Sequence, residues 1–193
     1  MKDLLQRLEL HIPLPTDVVK FLNNRAAKRN FRARVQILMP NENQKSLLFL
    51  TKGITRNFYR TESKEWTSRF SQAGDFVVSV DNFLLNLPCQ EYIETCTPIE
   101  FIEIPKIDYL QILTDNPELY IALSNIMIEN FKATIDRMCS WQMQSATERY
   151  HAFIQQYPIV HQQVQQQHIA SYLGITPTGL SRIRKQKGNE YLL

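Results

Sequence analysis

From Pro117 to Trp141 the sequence reads as one unbroken helix. No proline or glycine follows Pro117, and apolar residues recur at helical spacing. Asp115-Asn116-Pro117-Glu118 supplies a start, with an Asx cap and an acid in the first turn. Such a helix is ~35 Å long. Ile121, Ile128, Phe131, Ile135 and Met138 form one apolar stripe, at steps of 7, 3, 4 and 3. Leu119, Leu123, Ile126 and Met127 lie on another face. A helix apolar on two faces needs two covers. The rest of the chain supplies one. A second copy of the same helix supplies the other, as a two-fold homodimer. Burial inside a single monomer is the competing arrangement.

What precedes this helix is different in kind. Residues 2–10 and 16–29 read as short helices, the second with Thr16-Asp17 as its cap. Val35–Met39, Leu47–Thr51, Ile54–Arg60, Trp66–Ser71, Phe76–Val80, Tyr92–Thr97 and Ile99–Ile104 read as short strands bounded by turn signals. About seven short strands at this spacing predict an antiparallel sandwich or jelly-roll barrel. Tyr109–Leu113 gives a helical turn or more, and Ser145 to Gln156 a further helix closed by Pro158. The fold class is therefore α+β.

Several functions are excluded by what is missing. Five glycines cannot assemble a P-loop or a dinucleotide-binding turn. Cys89, Cys96 and Cys139 are too few and too scattered for a disulfide framework or a metal knuckle. No two of the four histidines stand four residues apart, so no helical zinc pair exists. Glu94, Glu100 and Glu103 are the nearest approach to paired carboxylates, but strand alternation and a nearby turn put Glu94 and Glu100 in solvent. No nucleophile–base pair is readable, so the chain is not expected to be an enzyme, and neither a metal nor a cofactor is implied. No apolar run is long enough to span a bilayer. The N-terminus resembles no secretory signal, so the expected location is the cytoplasm.

Charge points to a partner. Residues 1–164 carry 18 basic and 18 acidic side chains. The net charge of +3 thus lies in the last 29 residues, where Arg182, Arg184, Lys185 and Lys187 face Glu190 alone. That placement favours nucleic acid. A second basic run, Lys20, Arg25, Lys28, Arg29, Arg32 and Arg34, reads as a solvated helix face. Residues 75–129 hold ten acids and one base, Lys106.

The basic end carries the most informative motif. Ile169, Ala170 and Leu173 form a helix face, and Gly174 stops that helix. Ile175 can plug the gap to a second helix, which Thr176 caps and Pro177 begins. Leu180 and Ile183 are its buried face, and the small Ala170 permits a close crossing. This is a helix–turn–helix. Gln165, Gln166 and Gln167 are placed to donate to phosphates. Thr176, Thr178, Gly179, Ser181, Arg182 and Lys185 would meet double-stranded DNA, with Arg182 able to bind guanine or phosphate. A plain helical hairpin is the bland alternative. Gly179 costs helix stability but admits close approach in the first turn.

A jelly roll, a long helix and a terminal helix–turn–helix together resemble the Crp–Fnr regulators, the cyclic-AMP receptor protein family. The resemblance spans nearly the whole chain. It is carried by His168-Ile169-Ala170-Ser171-Tyr172-Leu173-Gly174-Ile175-Thr176-Pro177 and Leu180-Ser181-Arg182-Ile183-Arg184-Lys185, a run similar to short members of Bacteroidetes type. Leu47–Gly53 with Arg56, and Gly74-Asp75-Phe76, support it. It implies a cyclic-nucleotide-binding-like β-roll domain over 1–115, a dimerisation helix over 116–142 and a helix–turn–helix domain over 143–193. It places an effector pocket near Phe76, Val78, Ser79, Asp81, Cys89 and Gln90.

The departures from the family are specific. Nucleotide-binding members carry Gly-Glu for the ribose and an Arg-Ser or Arg-Ala pair for the cyclic phosphate. Here Val77-Val78-Ser79-Val80-Asp81 and Pro88-Cys89-Gln90-Glu91 stand in those places. No Arg or Lys occurs from residue 70 to 105, so the phosphate has no clamp. Asp81 could still meet a ribose hydroxyl. The cysteines do not match an iron–sulfur branch, and with His11 the only histidine before the long helix a haem branch is not expected. Gly188-Asn189-Glu190-Tyr191-Leu192-Leu193 is too short for the β-hairpin wing of many relatives. The expected function is a homodimeric DNA-binding regulator whose barrel responds to a small molecule other than a cyclic nucleotide, or to a protein. A cyclic-nucleotide-responsive regulator, and an interaction protein that has lost DNA binding, are the alternatives.

Overall fold

A computed structural model describes residues 1–190, with side chains through Lys185. Helices α1 (Lys2–Glu9) and α2 (Thr16–Arg25) lead into eight strands: β1 (Ala27–Phe31), β2 (Gln36–Leu38), β3 (Ser46–Lys52), β4 (Thr55–Arg60), β5 (Glu65–Ser71), β6 (Phe76–Val77), β7 (Tyr92–Thr95) and β8 (Ile99–Pro105). Six helices follow: α3 (Lys106–Asp115), α4 (Leu119–Met143), α5 (Ala146–Gln156), α6 (Pro158–Gln163), α7 (Gln166–Leu173) and α8 (Pro177–Glu190). The strands form two antiparallel sheets, ordered β1-β8-β3-β6 and β2-β7-β4-β5. The α+β jelly roll followed by a long helix is as the sequence predicts.

Both sheets are covered outside as well as inside. Strand β3 is apolar at successive positions because each face is buried. Leu48 and Leu50 pack between the sheets with Val77, Ile93 and Phe101. Leu47 and Phe49 point the other way, under α1 to α4, with Leu4, Val18, Ile112 and Ile126. The second sheet is capped by the C-terminal helices, where Ile54 and Phe70 join Tyr150, Phe153, Ile169, Leu173 and Leu180. At the turn between β3 and β4, Gly53 takes φ +86°, and a Cβ there would lie 2.2 Å from the Pro98 carbonyl oxygen. Only glycine fits that turn.

Several local expectations are corrected. The helix predicted over 16–29 ends at Arg25, because Ala26 is extended and Ala27–Phe31 pairs with β8 as an edge strand. Phe31 packs on Phe101, with ring centroids 5.1 Å apart, and Arg29 reaches Glu103 at 3.4 Å. Lys28 and Arg29 of the basic run therefore lie on a sheet edge. Charges there discourage pairing with other chains. Thr16 does not cap α2; Pro15 holds the cap position. The strand expected over 76–80 stops at Val77, and Val80–Leu84 coils into a π-type turn. Asn116 closes α3 by donating to the Ile112 carbonyl at 3.1 Å and does not cap α4. Pro158 also opens α6, which the sequence reading missed. Gly188, Asn189 and Glu190 continue α8, and residues 191–193 of the expected wingless tail lie outside the described residues.

Two extended residues join α4 to α5: Gln144 (φ −114°, ψ 146°) and Ser145 (φ −65°, ψ 160°). Ser145 and Glu148 form a capping box, with N–H···O distances of 3.3 and 2.7 Å. Among the described residues no helix is long and apolar enough to cross a membrane.

Candidate functional site

The helix–turn–helix forms as its local chemistry requires. Gly174 adopts the left-handed conformation (φ 68°, ψ 34°) and ends α7. Thr176 Oγ1 accepts from the Gly179 amide at 3.0 Å and caps α8. A Cβ on Gly179 would sit 3.1 Å from that same oxygen, so glycine there also keeps the cap unobstructed. Leu180 and Ile183 are buried against Ile169, Ala170 and Leu173. Thr176, Thr178, Arg182 and Lys185 are exposed, while Gly179 and Ser181 are half-buried. Gln165, Gln166 and Gln167 are exposed at the start of α7. Seven of the nine residues expected to face DNA are therefore exposed, and Gly179 and Ser181 are partly covered.

The long helix divides as its two stripes predict. Leu119, Ala122 and Ile126 are buried and Leu123 is partly so. Ile121, Ile128, Phe131, Ile135 and Met138 are all exposed. Met127, expected on the covered face, is exposed too. The exposed stripe has the 7-residue repeat of a coiled-coil seam, with Ile121, Ile128 and Ile135 in one register and Phe131 and Met138 in the other.

The expected effector residues do not converge as a set. Ser79 Oγ and Cys89 Sγ meet at 3.8 Å, and Cys89 donates to the Glu91 carbonyl at 3.2 Å. Phe76 instead turns outward, edge-on to Phe49 at 5.1 Å, because β6 alternates and Val77 takes the inner position. Val78 packs partly against the helix-covered core. Asp81 is half-buried in the π-type turn, and Gln90 is exposed. The sequence reading missed Gln44, Asn57 and Glu91. Gln44 accepts from the Ser79 amide at 2.8 Å and donates to the Val77 carbonyl at 3.1 Å, while Asn57 donates to Glu91 at 2.9 Å. Burial pushes the Glu91 carboxyl up. Burial, then Glu91 and Asp81, push the Tyr59 hydroxyl up to about 12. The cassette region is thus acidic and closed on its own hydrogen bonds, a poor setting for a phosphate.

Arg56 is the largest fully buried side chain. Its Nε donates to Glu94 at 2.6 Å, one Nη to Glu65 at 2.7 Å and the other to Thr67 at 3.2 Å. The guanidinium also lies 3.9 Å from the Phe58 ring centroid. Glu94, expected in solvent, is an ion-pair partner instead. Burial would raise the Glu65 carboxyl, but bonds from Arg56 and Arg60 bring it down.

Helix α7 is clasped to the sheet beside this cluster. Strand β5 is a sheet edge, and the Ser171 hydroxyl satisfies two of its backbone groups. It donates to the Glu65 carbonyl at 2.9 Å and accepts from the Thr67 amide at 2.9 Å. Arg137 of α4 donates to the next carbonyl, that of Ser68, and its guanidinium lies 4.7 Å from the Tyr172 ring. Arg149 donates to the Leu173 carbonyl at 3.2 Å and the Gln144 carbonyl at 2.7 Å, joining the C-terminal ends of α7 and α4.

His168 follows from this packing. Burial, reinforced by Arg56, lowers its pKa to about 4, against the opposing pull of Glu94 and Glu65. Its folded pKa is below the unfolded value of 6.5, so the folded state resists protonation. Its contribution to stability is full above pH 6.5 and is lost as pH falls towards 4. Urea midpoints measured between pH 7.5 and 4 are expected to fall less steeply in His168→Gln than in the wild type. Parallel curves would remove His168 from the acid response.

No protein-family model matches the sequence, and no curated protein does. Solved structures do match. CLP of Xanthomonas campestris, a c-di-GMP-responsive global regulator, aligns at TM-score 0.73 and 15% identity over 93% of this chain and 94% of that one. FixK2 of Bradyrhizobium japonicum aligns at 0.73 and 15%, over 86% and 85%. A Eubacterium rectale protein described as a Crp/Fnr-family transcriptional regulator aligns at 0.73 and 17%, over 92% and 85%. The chain has the fold of these regulators across nearly its whole length.

Proposed function

We propose that this chain is a Crp–Fnr-type transcription regulator that binds double-stranded DNA as a homodimer. The observation that carries the reading is the terminal helix pair. Its apolar residues are spent on the helix crossing, while Thr178, Arg182 and Lys185 are left exposed on α8. That is the surface a recognition helix presents to a major groove. The exposed seam of α4 supplies the two-fold axis, and a palindromic operator mirrors that axis.

The barrel is proposed to be insensitive to cyclic nucleotide. The cassette contains no Arg or Lys of its own, Lys106 reaches it only to bind Asn82 and Asn86, and its polar groups are engaged with one another. Catalysis has no place in this reading.

Selection of bound duplexes from a random library, at two salt concentrations, tests the proposal. A palindrome with half-sites about one helical turn apart, ~34 Å, is the expected product. On that operator Arg182→Ala is expected to cost about 1–3 kcal/mol. Binding without a motif, weakening steeply with salt, would reduce the basic end to generic phosphate attraction.

A further inference from the structure

Strand β5, helix α4 and the C-terminal helices enclose a cavity of about 310 Å³ that meets the 76–95 cassette only at Phe76. That volume is within the ~300–1,000 Å³ of small-molecule sites. All three units of the fold contribute walls. Arg69 comes from β5, Arg137 from α4, and Tyr157 and Tyr172 from the C-terminal part, with Gln72 and Asp75 at the base.

The polar groups of these walls are not balanced within the protein. Among the described residues the Arg69 guanidinium makes no ion pair or hydrogen bond. The Arg137 Nε and Gln72 Oε1 are buried and have no hydrogen-bond partner in the protein. Buried donors and acceptors are costly to leave unmatched, so such a pair around one cavity signals a missing counterpart. Two acids also line the cavity, and both are engaged within the protein: Asp75 accepts from the Gln72 amide at 2.9 Å, and Glu129 pairs with Arg7. Burial, then Tyr172, to which it is hydrogen-bonded, raises the Tyr157 pKa, and the two hydroxyls stand together at the cavity wall. Arg69, Arg137 and Tyr157 are thus donors lining one space, with Gln72 as an acceptor beside them.

We propose that this cavity binds a compact anion, a carboxylate or phosphate that also carries a hydroxyl or amine for Gln72. Arg69 supplies the charge, and the Arg137 Nε and Tyr157 supply directional hydrogen bonds. Bound there, the anion touches the barrel, the long helix and the DNA-reading half together. The site does not depend on the DNA-binding reading, and its test contains no DNA.

The probes are inorganic phosphate and citrate, each compared with sodium chloride at equal ionic strength. Thermal unfolding of the full chain is expected to shift upward in at least one of them. Arg182→Ala, which removes a cation from the DNA-reading helix, is expected to keep the shift. Arg69→Gln is expected to weaken the apparent affinity tenfold or more, and Arg69→Lys to recover most of it. In the wild type the Nε–H NMR signals of Arg69 and Arg137 should move during the titration. If Arg69→Gln does not fold, Tyr157→Phe replaces it, with the same direction expected. Absence of a shift in the wild type overturns the proposal. So does an equal shift in the cavity variant, which would locate the anion elsewhere.

Discussion

Replacing Phe131 with glutamate is expected to turn the proposed dimer into a monomer without unfolding either half. Phe131 is 66% exposed and Ile128, on the same stripe, 62%. Neither residue supports the monomer's own core, so the substitution spares it. Full burial of a side chain of this size is worth about 1.5–3 kcal/mol. A two-fold seam loses it twice and must also desolvate two facing carboxylates. A loss of at least about 4 kcal/mol follows, roughly a thousandfold in dissociation constant. Sedimentation velocity on wild type and variant at matched micromolar concentrations measures it. An unchanged dimer would move the interface off α4. A wild type that is monomeric at every concentration would remove the dimer altogether.

Arg56→Ala should have the other large effect, this time on folding. The side chain is 2% exposed and joins two glutamates, one threonine and one aromatic ring. Removing it strands Glu94, whose side chain is only 18% exposed, beside a void. Breaking one side of a buried pair costs about 3–5 kcal/mol. Against a typical total of about 5–15 kcal/mol, that is a large share. Urea unfolding provides the number. The double variant Arg56→Met, Glu94→Gln is expected to regain much of the loss, since the stranded charge is then gone. A single-variant loss below about 1 kcal/mol would mean that solvent screens the cluster.

What could be read from the sequence followed the range of the forces involved. Gly174, Thr176 and Pro177 act on their immediate neighbours, so the helix–turn–helix was legible to the residue. The two stripes of α4 were legible because helical periodicity is local. Strand β1 was not. Ala27–Phe31 shows no alternation, and its conformation comes from pairing with β8, some seventy residues onward. The end of β6 was hidden for a related reason. Val77 and Val80 carry strong strand propensity, but the Gln44 side chain takes the Ser79 amide and the Val77 carbonyl and ends the ladder. The role of Arg56 was only half visible, since its position marks the hairpin but its glutamates lie on two other strands. The cavity was invisible. Arg69 and Arg137 belong to segments that touch only after folding, and a scan of residues 70–105 for cations stops one residue short of Arg69.

The joint between α4 and α5 has a consequence for how the molecule can move. Ser145 is fixed by its capping box, and Arg149 grips the Gln144 carbonyl from the far side. The Gln144 amide in turn donates to the Ser140 carbonyl at 3.0 Å, so both of its backbone groups are held and the joint is braced. Were Ser171 and Arg137 to let go of β5, α8 would sweep along a narrow arc instead of tumbling on a tether. In the proposed dimer the gap between two such helices would then vary only over a narrow range. On the proposed reading, such a pair works like calipers with stiff hinges.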